Sequence, residues 1–343
     1  MILFERDLAI DLGTTNVRIA ARGKGVILQE PSVVAMDKNS GRLLKYGMEA
    51  QKMLGRTPAN IVAIDPMKAG AISDYEMTER MLREMVKSVT SFSLLKPRML
   101  IGVPSGISEV EERAVIDAGM EAGARKVYLM ETPLAAALGA GLDLSGADGK
   151  MLVDVGGGTT DVAVLSLNGV VESDSVKVAG DSFNEALIRY VRRKYNLMIG
   201  DATAEELKRQ ICCIFPREDV VSVEVKGRCL MTGLPRVIEL NSNETLEALE
   251  ETGERIVEAV IRVLESTPPE LIADISANGI VLTGGGSHLW GFDRLIETRT
   301  EIPVRIADDP DMCVAFGLVK GLDWLDDMNE GTLNLNRRRQ LKQ

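Results

Sequence analysis

Asp11-Leu12-Gly13-Thr14-Thr15-Asn16-Val17 returns in longer form as Asp154-Val155-Gly156-Gly157-Gly158-Thr159-Thr160-Asp161-Val162. An alternating run, Leu8-Ala9-Ile10, leads into the first copy, and Met151-Leu152-Val153 leads into the second. Val17-Arg18-Ile19-Ala20 and Val162-Ala163-Val164-Leu165 lead out. Each copy reads as a β-hairpin with a turn rich in glycine and threonine. Two copies in one chain predict a duplicated α/β domain with a cleft between the halves.

Glycine lets the backbone approach a ligand closely and adopt positive φ angles. Successive N–H groups then face one concavity and bind an anion, while threonine hydroxyls add donors without charge. A single Gly-Thr turn is an ordinary hairpin; two matching turns, each led by an aspartate, point to a shared phosphate. Asp11 and Asp154, at the strand ends, suit Mg²⁺, which takes a few oxygens and keeps its waters. A third glycine element, Gly284-Gly285-Gly286-Ser287, follows a buried strand at 279–283 and precedes a helix. Strand, glycine turn and helix together present backbone groups to a nucleotide. His288, beside this turn, reads as a packing or surface residue.

The 343 residues suffice for two domains, and 45% hydrophobic with 27% charged residues is a globular balance. A net charge of −11 argues against wholesale nucleic-acid binding, which needs a basic face. One histidine argues against a Ser/His/Asp triad or a multi-histidine metal site. Cys212, Cys213, Cys229 and Cys313 show neither metal-ligand spacing nor a disulfide framework, so they read as reduced, buried thiols. The start is too short for a signal peptide, and no apolar run reaches membrane-spanning length. A cytoplasmic protein able to touch the membrane is expected.

Met77, Met81, Leu82, Met85, Val86 and Val89 recur at helical spacing over 75–90, which predicts a core-facing helix. Further helices are expected at 109–123, 182–195, 202–213 and 245–265, and short strands over 218–240 with turns at Lys226-Gly227 and Thr232-Gly233. The polar, basic tail 334–343 reads as frayed.

In this order the three glycine elements resemble the two phosphate loops and adenosine motif of the actin, sugar-kinase and heat-shock-chaperone superfamily. Within it the chain is similar to the MreB/Mbl family, through Glu30-Pro31-Ser32-Val33-Val34-Ala35, Ile101-Gly102-Val103-Pro104 and Asp117-Ala118-Gly119-Met120-Glu121-Ala122-Gly123-Ala124. Tyr195-Asn196-Leu197-Met198-Ile199-Gly200 and Thr203-Ala204-Glu205 extend the likeness, which runs from about Asp7 to Leu322. The resemblance implies an α/β, actin-like ATPase fold: two duplicated ribonuclease-H-like domains around a nucleotide cleft, each with an inserted subdomain. Domain I would span 1–145, with its core at 1–31 and 66–145, its insertion at 32–65, and a C-terminal helix at about 312–330 returning to it. Domain II would span 146–311, with its core at 146–181 and 241–311 and its insertion at 182–240.

By the same resemblance the cofactors are ATP or ADP with Mg²⁺. Thr14, Thr15 and Asn16 would meet the phosphates from one side, and Gly157, Gly158, Thr159 and Thr160 from the other. Glu205 and Lys208, on one helix face, would hold the ribose and base edge. Gly284, Gly285, Gly286 and Ser287 would close the adenine end, and Asp11 and Asp154 would act on the metal. The family commonly has glutamate before the proline of its Glu-Pro-x-Ala-Ala-Ala segment. This chain reads Met130-Glu131-Thr132-Pro133, with Thr132 in that place. A hydroxyl orients water but is a poor base, so hydrolysis is expected to be slow. Asp161 also replaces a common glutamate, and Thr132, Glu131 and Asp161 form the candidate catalytic set.

The family further implies membrane-associated filaments that direct cell-wall synthesis and cell shape. Protofilaments would assemble head to tail and pair antiparallel, beneath anionic inner-membrane lipids. RodZ, MreC, MreD and the cell-wall elongation machinery would be partners, with no nucleic acid. Phe92, Leu94 and Leu95 would insert shallowly while Lys96 and Arg98 meet anionic headgroups, with the match to the family's membrane loop falling on Leu94 and Leu95; the alternative is a helix end buried on the next strand. A metabolite kinase shares the phosphate loops, and a filament positioning DNA or an organelle shares the biochemistry; both stay open at this level.

Overall fold

The computed structural model describes residues 7–90 and 95–326. Phe92, Leu94, Met1 to Phe4 and the 334–343 tail lie outside the described residues. Two five-stranded sheets repeat one topology. The first contains β1 (Leu8–Leu12), β2 (Asn16–Ala21), β3 (Gly25–Pro31), β4 (Arg98–Val103) and β5 (Lys126–Glu131), in the order β3-β2-β1-β4-β5. The second contains β6 (Lys150–Val155), β7 (Thr160–Ser166), β8 (Gly169–Val176), β9 (Ile280–Thr283) and β10 (Val304–Ile306), in the order β8-β7-β6-β9-β10. In each, three antiparallel strands are followed by two that run parallel to the first. β1 is buried throughout because both of its faces are covered, and apart from Asp11 it is apolar at every position.

Helix α1 (Tyr75–Thr90) lays its Met77, Met81, Leu82, Met85 and Val86 stripe on the first sheet, as its spacing predicts. Helix α2 (Glu109–Glu121) starts at Ser108, whose hydroxyl and Glu111 form a reciprocal capping box. Two further helices, α3 (Thr132–Gly139) and α7 (Cys313–Gly321), lie in an apolar layer between the sheets. Ala9 and Leu100 enter this layer from the first sheet, and Leu152 and Ala163 from the second. Glycine sets how closely these helices cross. A methyl at Gly139 would lie 2.8 Å from Cys313 Cα, and one at Gly317 2.9 Å from Ala135 Cα. Within the described residues α7 ends at Gly321 and a tight turn, Leu322–Trp324, follows; the helix expected at about 312–330 runs past them.

A small sheet of Val34–Asp37, Leu43–Tyr46 and Ile61–Ile64 branches from the first half. From the second half rise α4 (Gly180–Tyr195), α5 (Asp201–Ile211) and a sheet of Leu197–Met198, Ser222–Cys229 and Pro235–Asn241, before α6 (Ser242–Ser266) returns. Lys226-Gly227 is not the expected turn; it lies inside the strand Ser222–Cys229. Glycine stands there because a methyl would come 2.5 Å from the Met198 carbonyl oxygen on the neighbouring strand. The turn at Thr232-Gly233 does form, with Gly233 at φ 74°. All four cysteines are buried and unpaired.

Candidate functional site: a cleft between two glycine tips

The β1–β2 and β6–β7 turns are built alike. Gly13 N–H donates to the Asn16 carbonyl at 3.1 Å, and Gly156 N–H donates to the Thr159 carbonyl at 2.9 Å. A methyl on Gly13 would sit 2.7 Å from that Asn16 oxygen, so the turn needs glycine. The two tips meet across the cleft. A methyl on Gly157 would come 2.9 Å from Thr15 Cβ and overlap its hydroxyl, and one on Gly158 would come 2.9 Å from Thr14 Cβ. A small hairpin, Met67–Lys68 with Ala71–Ile72, touches both tips. Its turn residues Ala69 and Gly70 have φ of 48° and 75°. Gly70 N–H donates to Thr14 Oγ1 at 2.9 Å, and a methyl there would lie 2.7 Å from Thr159 Cγ2. Sequence reasoning missed this element, because Ala-Gly is a weaker hairpin signal than Asn-Gly.

Charged groups line the floor. Asp154 pairs in register with Asp161, and Asp11 pairs in register with Arg18. Burial pushes the Asp154 carboxyl up to about 7, helped by the neighbouring Asp161 charge. Burial also raises Asp161, against the pull of the Ser175, Thr159 and Thr132 hydroxyls. Thr159 and Thr132 reach Asp161 Oδ2 at 3.3 and 3.4 Å, and Asp161 Oδ1 is buried without a hydrogen-bond partner. Asp11, expected to act on the metal, is held by a cation of the chain itself. Arg18 Nη1 holds its Oδ2 at 3.1 Å. Among the described residues no group of three or more His, Cys, Asp or Glu could enclose a metal. The orphaned Asp161 oxygen and the Asp154 carboxylate nevertheless fit Mg²⁺, which needs few protein oxygens. Glu131 is buried at the N-cap of α3, whose first residue is Thr132.

The start of α4 is tied to the second tip: Gly180 and Asp181 N–H donate to the Gly156 and Gly157 carbonyls at 3.1 and 2.8 Å. Lys208 Nζ donates to the Gly180 carbonyl at 3.0 Å and pairs with Glu205 at 2.6 Å. Glu205 also accepts from Asn184 at 2.9 Å. Burial alone would raise Glu205, but Lys208, Asn184 and Arg209 outweigh it and bring its pKa down to about 2.

Two expected contacts turn inward instead. Thr160 Oγ1 is fully buried and donates to the Val178 carbonyl at 2.7 Å, because the residue follows the tip into β7. Ser287 Oγ donates to the Gly284 carbonyl at 2.6 Å, closing its own turn. Gly284, at φ 81°, and Gly286 pack against Val155, whereas a methyl on Gly285 would meet open space, with Asp311 Cβ 3.9 Å away. His288 is exposed, 3.8 Å from Asp311.

Two sheets of one topology, closing matched glycine tips on a single cleft, define an actin-like ATPase fold. The family model described as MreB/Mbl protein matches residues 5–330, and the chain belongs to that family. The cell shape-determining protein MreB of Escherichia coli (strain K12) is 52% identical over 337 residues, covering 96% of this chain and 97% of that protein. Cell shape-determining protein Mbl of Bacillus subtilis (strain 168) is 47% identical over 333 residues, covering 97% and 100%. The crystal structure of Spiroplasma citri MreB5 bound to ADP superposes with a TM-score of 0.90 at 33% identity, covering 96% of this chain and 100% of that one. A MamK double helical filament, at TM-score 0.79 and 22% identity over 93% and 99%, shares the fold.

Proposed function

We propose that this chain binds ATP between its two tips and assembles head to tail into filaments that set cell shape. The observation that carries the reading is the meeting of the Gly157-Gly158 tip with Thr14 and Thr15 across one cleft. Backbone N–H groups of both tips would receive the phosphates, with Thr14, Thr15 and Thr159 hydroxyls as added donors. The Glu205–Lys208 pair lies where the nucleoside would extend past the second tip, and Gly285 leaves its far end open. Bound Mg²⁺, held chiefly from Asp154 and Asp161, would neutralise phosphate charge. Thr132 and Asp161 would orient the attacking water, and with a hydroxyl rather than a carboxylate at 132 the turnover is slow.

The domains divide at 145/146, with insertions at 32–65 and 182–240. Filaments would run beneath the membrane and serve cell-wall synthesis with RodZ, MreC and MreD. Leu95, 48% exposed, supplies the described part of a membrane contact with Phe92 and Leu94. A weak single patch gains strength by repetition along a polymer. Calorimetry with ATP and Mg²⁺, then electron microscopy with and without anionic liposomes, tests the reading. Heat of binding and ATP-dependent filaments on liposomes are expected; single particles in every condition overturn the filament reading.

A further inference from the structure

We propose that Arg18 is a resident cation of the cleft floor that supplies part of the charge compensation otherwise left to a divalent metal, which weakens the Mg²⁺ dependence of nucleotide binding. This rests on the reading of the cleft as an ATP site. Arg18 lies in the first hairpin where Asp161 lies in the second: each follows its leading aspartate by the same spacing and faces it across the antiparallel pair. The duplicated architecture therefore presents Asp11, Asp154, Asp161 and one arginine to the same floor. The Arg18 side chain is only 10% exposed, and its guanidinium is always charged. Its Nη1 lies 3.1 Å from Asp11 Oδ2 and its Nη2 3.4 Å from Asp311 Oδ2, while Nε is buried without a hydrogen-bond partner. A buried donor left unpaired calls for an explanation, and a bound anion would supply the missing acceptor.

Asp311 belongs to the short turn Pro310–Met312, whose Pro310 carbonyl accepts from Gly284 N–H at 2.8 Å. Arg18 thus links the first tip's strand to the third glycine element. Its charge also reaches Asp154, pulling against the burial that raises that carboxyl. Two consequences follow. Asp11 is satisfied by a fixed cation, so a metal is held from the Asp154 and Asp161 side. A triphosphate entering without metal meets a guanidinium already in place, its charge shared with Asp11 and Asp311.

The test is the dissociation constant of a fluorescent ATP analogue, with Mg²⁺ and with EDTA, for the wild type, Arg18→Met and Arg18→Lys. The ratio of the two constants is expected to rise about tenfold in Arg18→Met and to stay near wild type in Arg18→Lys. An unchanged ratio in Arg18→Met overturns the proposal. If Arg18→Met fails to fold because Asp11 is left unpaired, Asp11→Asn/Arg18→Met removes both charges; the ratio must still rise there, by less than in Arg18→Met because a negative charge goes with the positive one, and an unchanged ratio overturns the proposal. A wild type that binds no ATP under either condition overturns the nucleotide reading itself; a wild type that binds, with ratios unmoved by substitution, overturns only the role of Arg18.

Discussion

Replacing Gly157 with alanine puts a methyl 2.9 Å from Thr15 Cβ and into the Thr15 hydroxyl. Carbon atoms rest at about 3.5–4.0 Å, so the Cβ contact alone makes the tips part by roughly 0.6–1.1 Å, and clearing the hydroxyl takes more. Thr15 is β-branched and stiff at χ1, and cannot swing clear cheaply. Overpacking of this kind costs about 1–3 kcal/mol, which a domain of ordinary stability survives. Function should suffer more than folding. A displacement near 1 Å in a site that works by positioning costs about 10²-fold in rate. The assay is single-turnover phosphate release together with ATP-analogue affinity, with circular dichroism as the folding check. Thr15→Gly in the Gly157→Ala background removes the overlapping atoms and should recover part of the loss, the remainder being the phosphate donor that leaves with the Thr15 hydroxyl. A folded Gly157→Ala protein that binds and hydrolyses ATP like wild type would refute the idea that the tips face each other across one ligand.

Thr132→Glu places a carboxylate at the head of α3, beside Asp161, and should raise steady-state phosphate release at least about tenfold; no gain counts against the assigned position. Glu205 has a folded-state pKa of about 2, below the ordinary 4.5, so its contribution to stability is present above 4.5 and is lost as pH falls towards 2. Its side chain is 34% exposed, and solvent screening reduces the contribution to about 1 kcal/mol. Urea melts should show Glu205→Gln weaker than wild type near neutral pH, with the gap closing in acid; a gap independent of pH contradicts the ion-pair origin.

Much of this was legible from residues, because the decisive features are local. The paired tips announce themselves through spacing, and the methionine stripe of α1 through its period. What stayed hidden depends on which atoms face one another across the fold. Gly227 reads as a turn residue until the neighbouring strand's Met198 carbonyl is seen to exclude a side chain. Thr160 and Ser287 carry the right chemistry, yet their hydroxyls are spent on Val178 and Gly284. Arg18 reads only as one residue of the strand that leaves the first tip, and the strand register with its ion pair shows that it neutralises Asp11. The Met67–Ile72 hairpin carries no strong turn dipeptide, so its place between the tips came from the structure alone.

The central claim is that residues 13–16 and 156–160, one segment per half, grip the same triphosphate. Hydrogen exchange measured with and without ATP reads both segments in a single experiment. Slowed exchange in both together, at one nucleotide per chain, is the expected result. Protection of one segment only, or of neither while ATP is bound elsewhere, would contradict it.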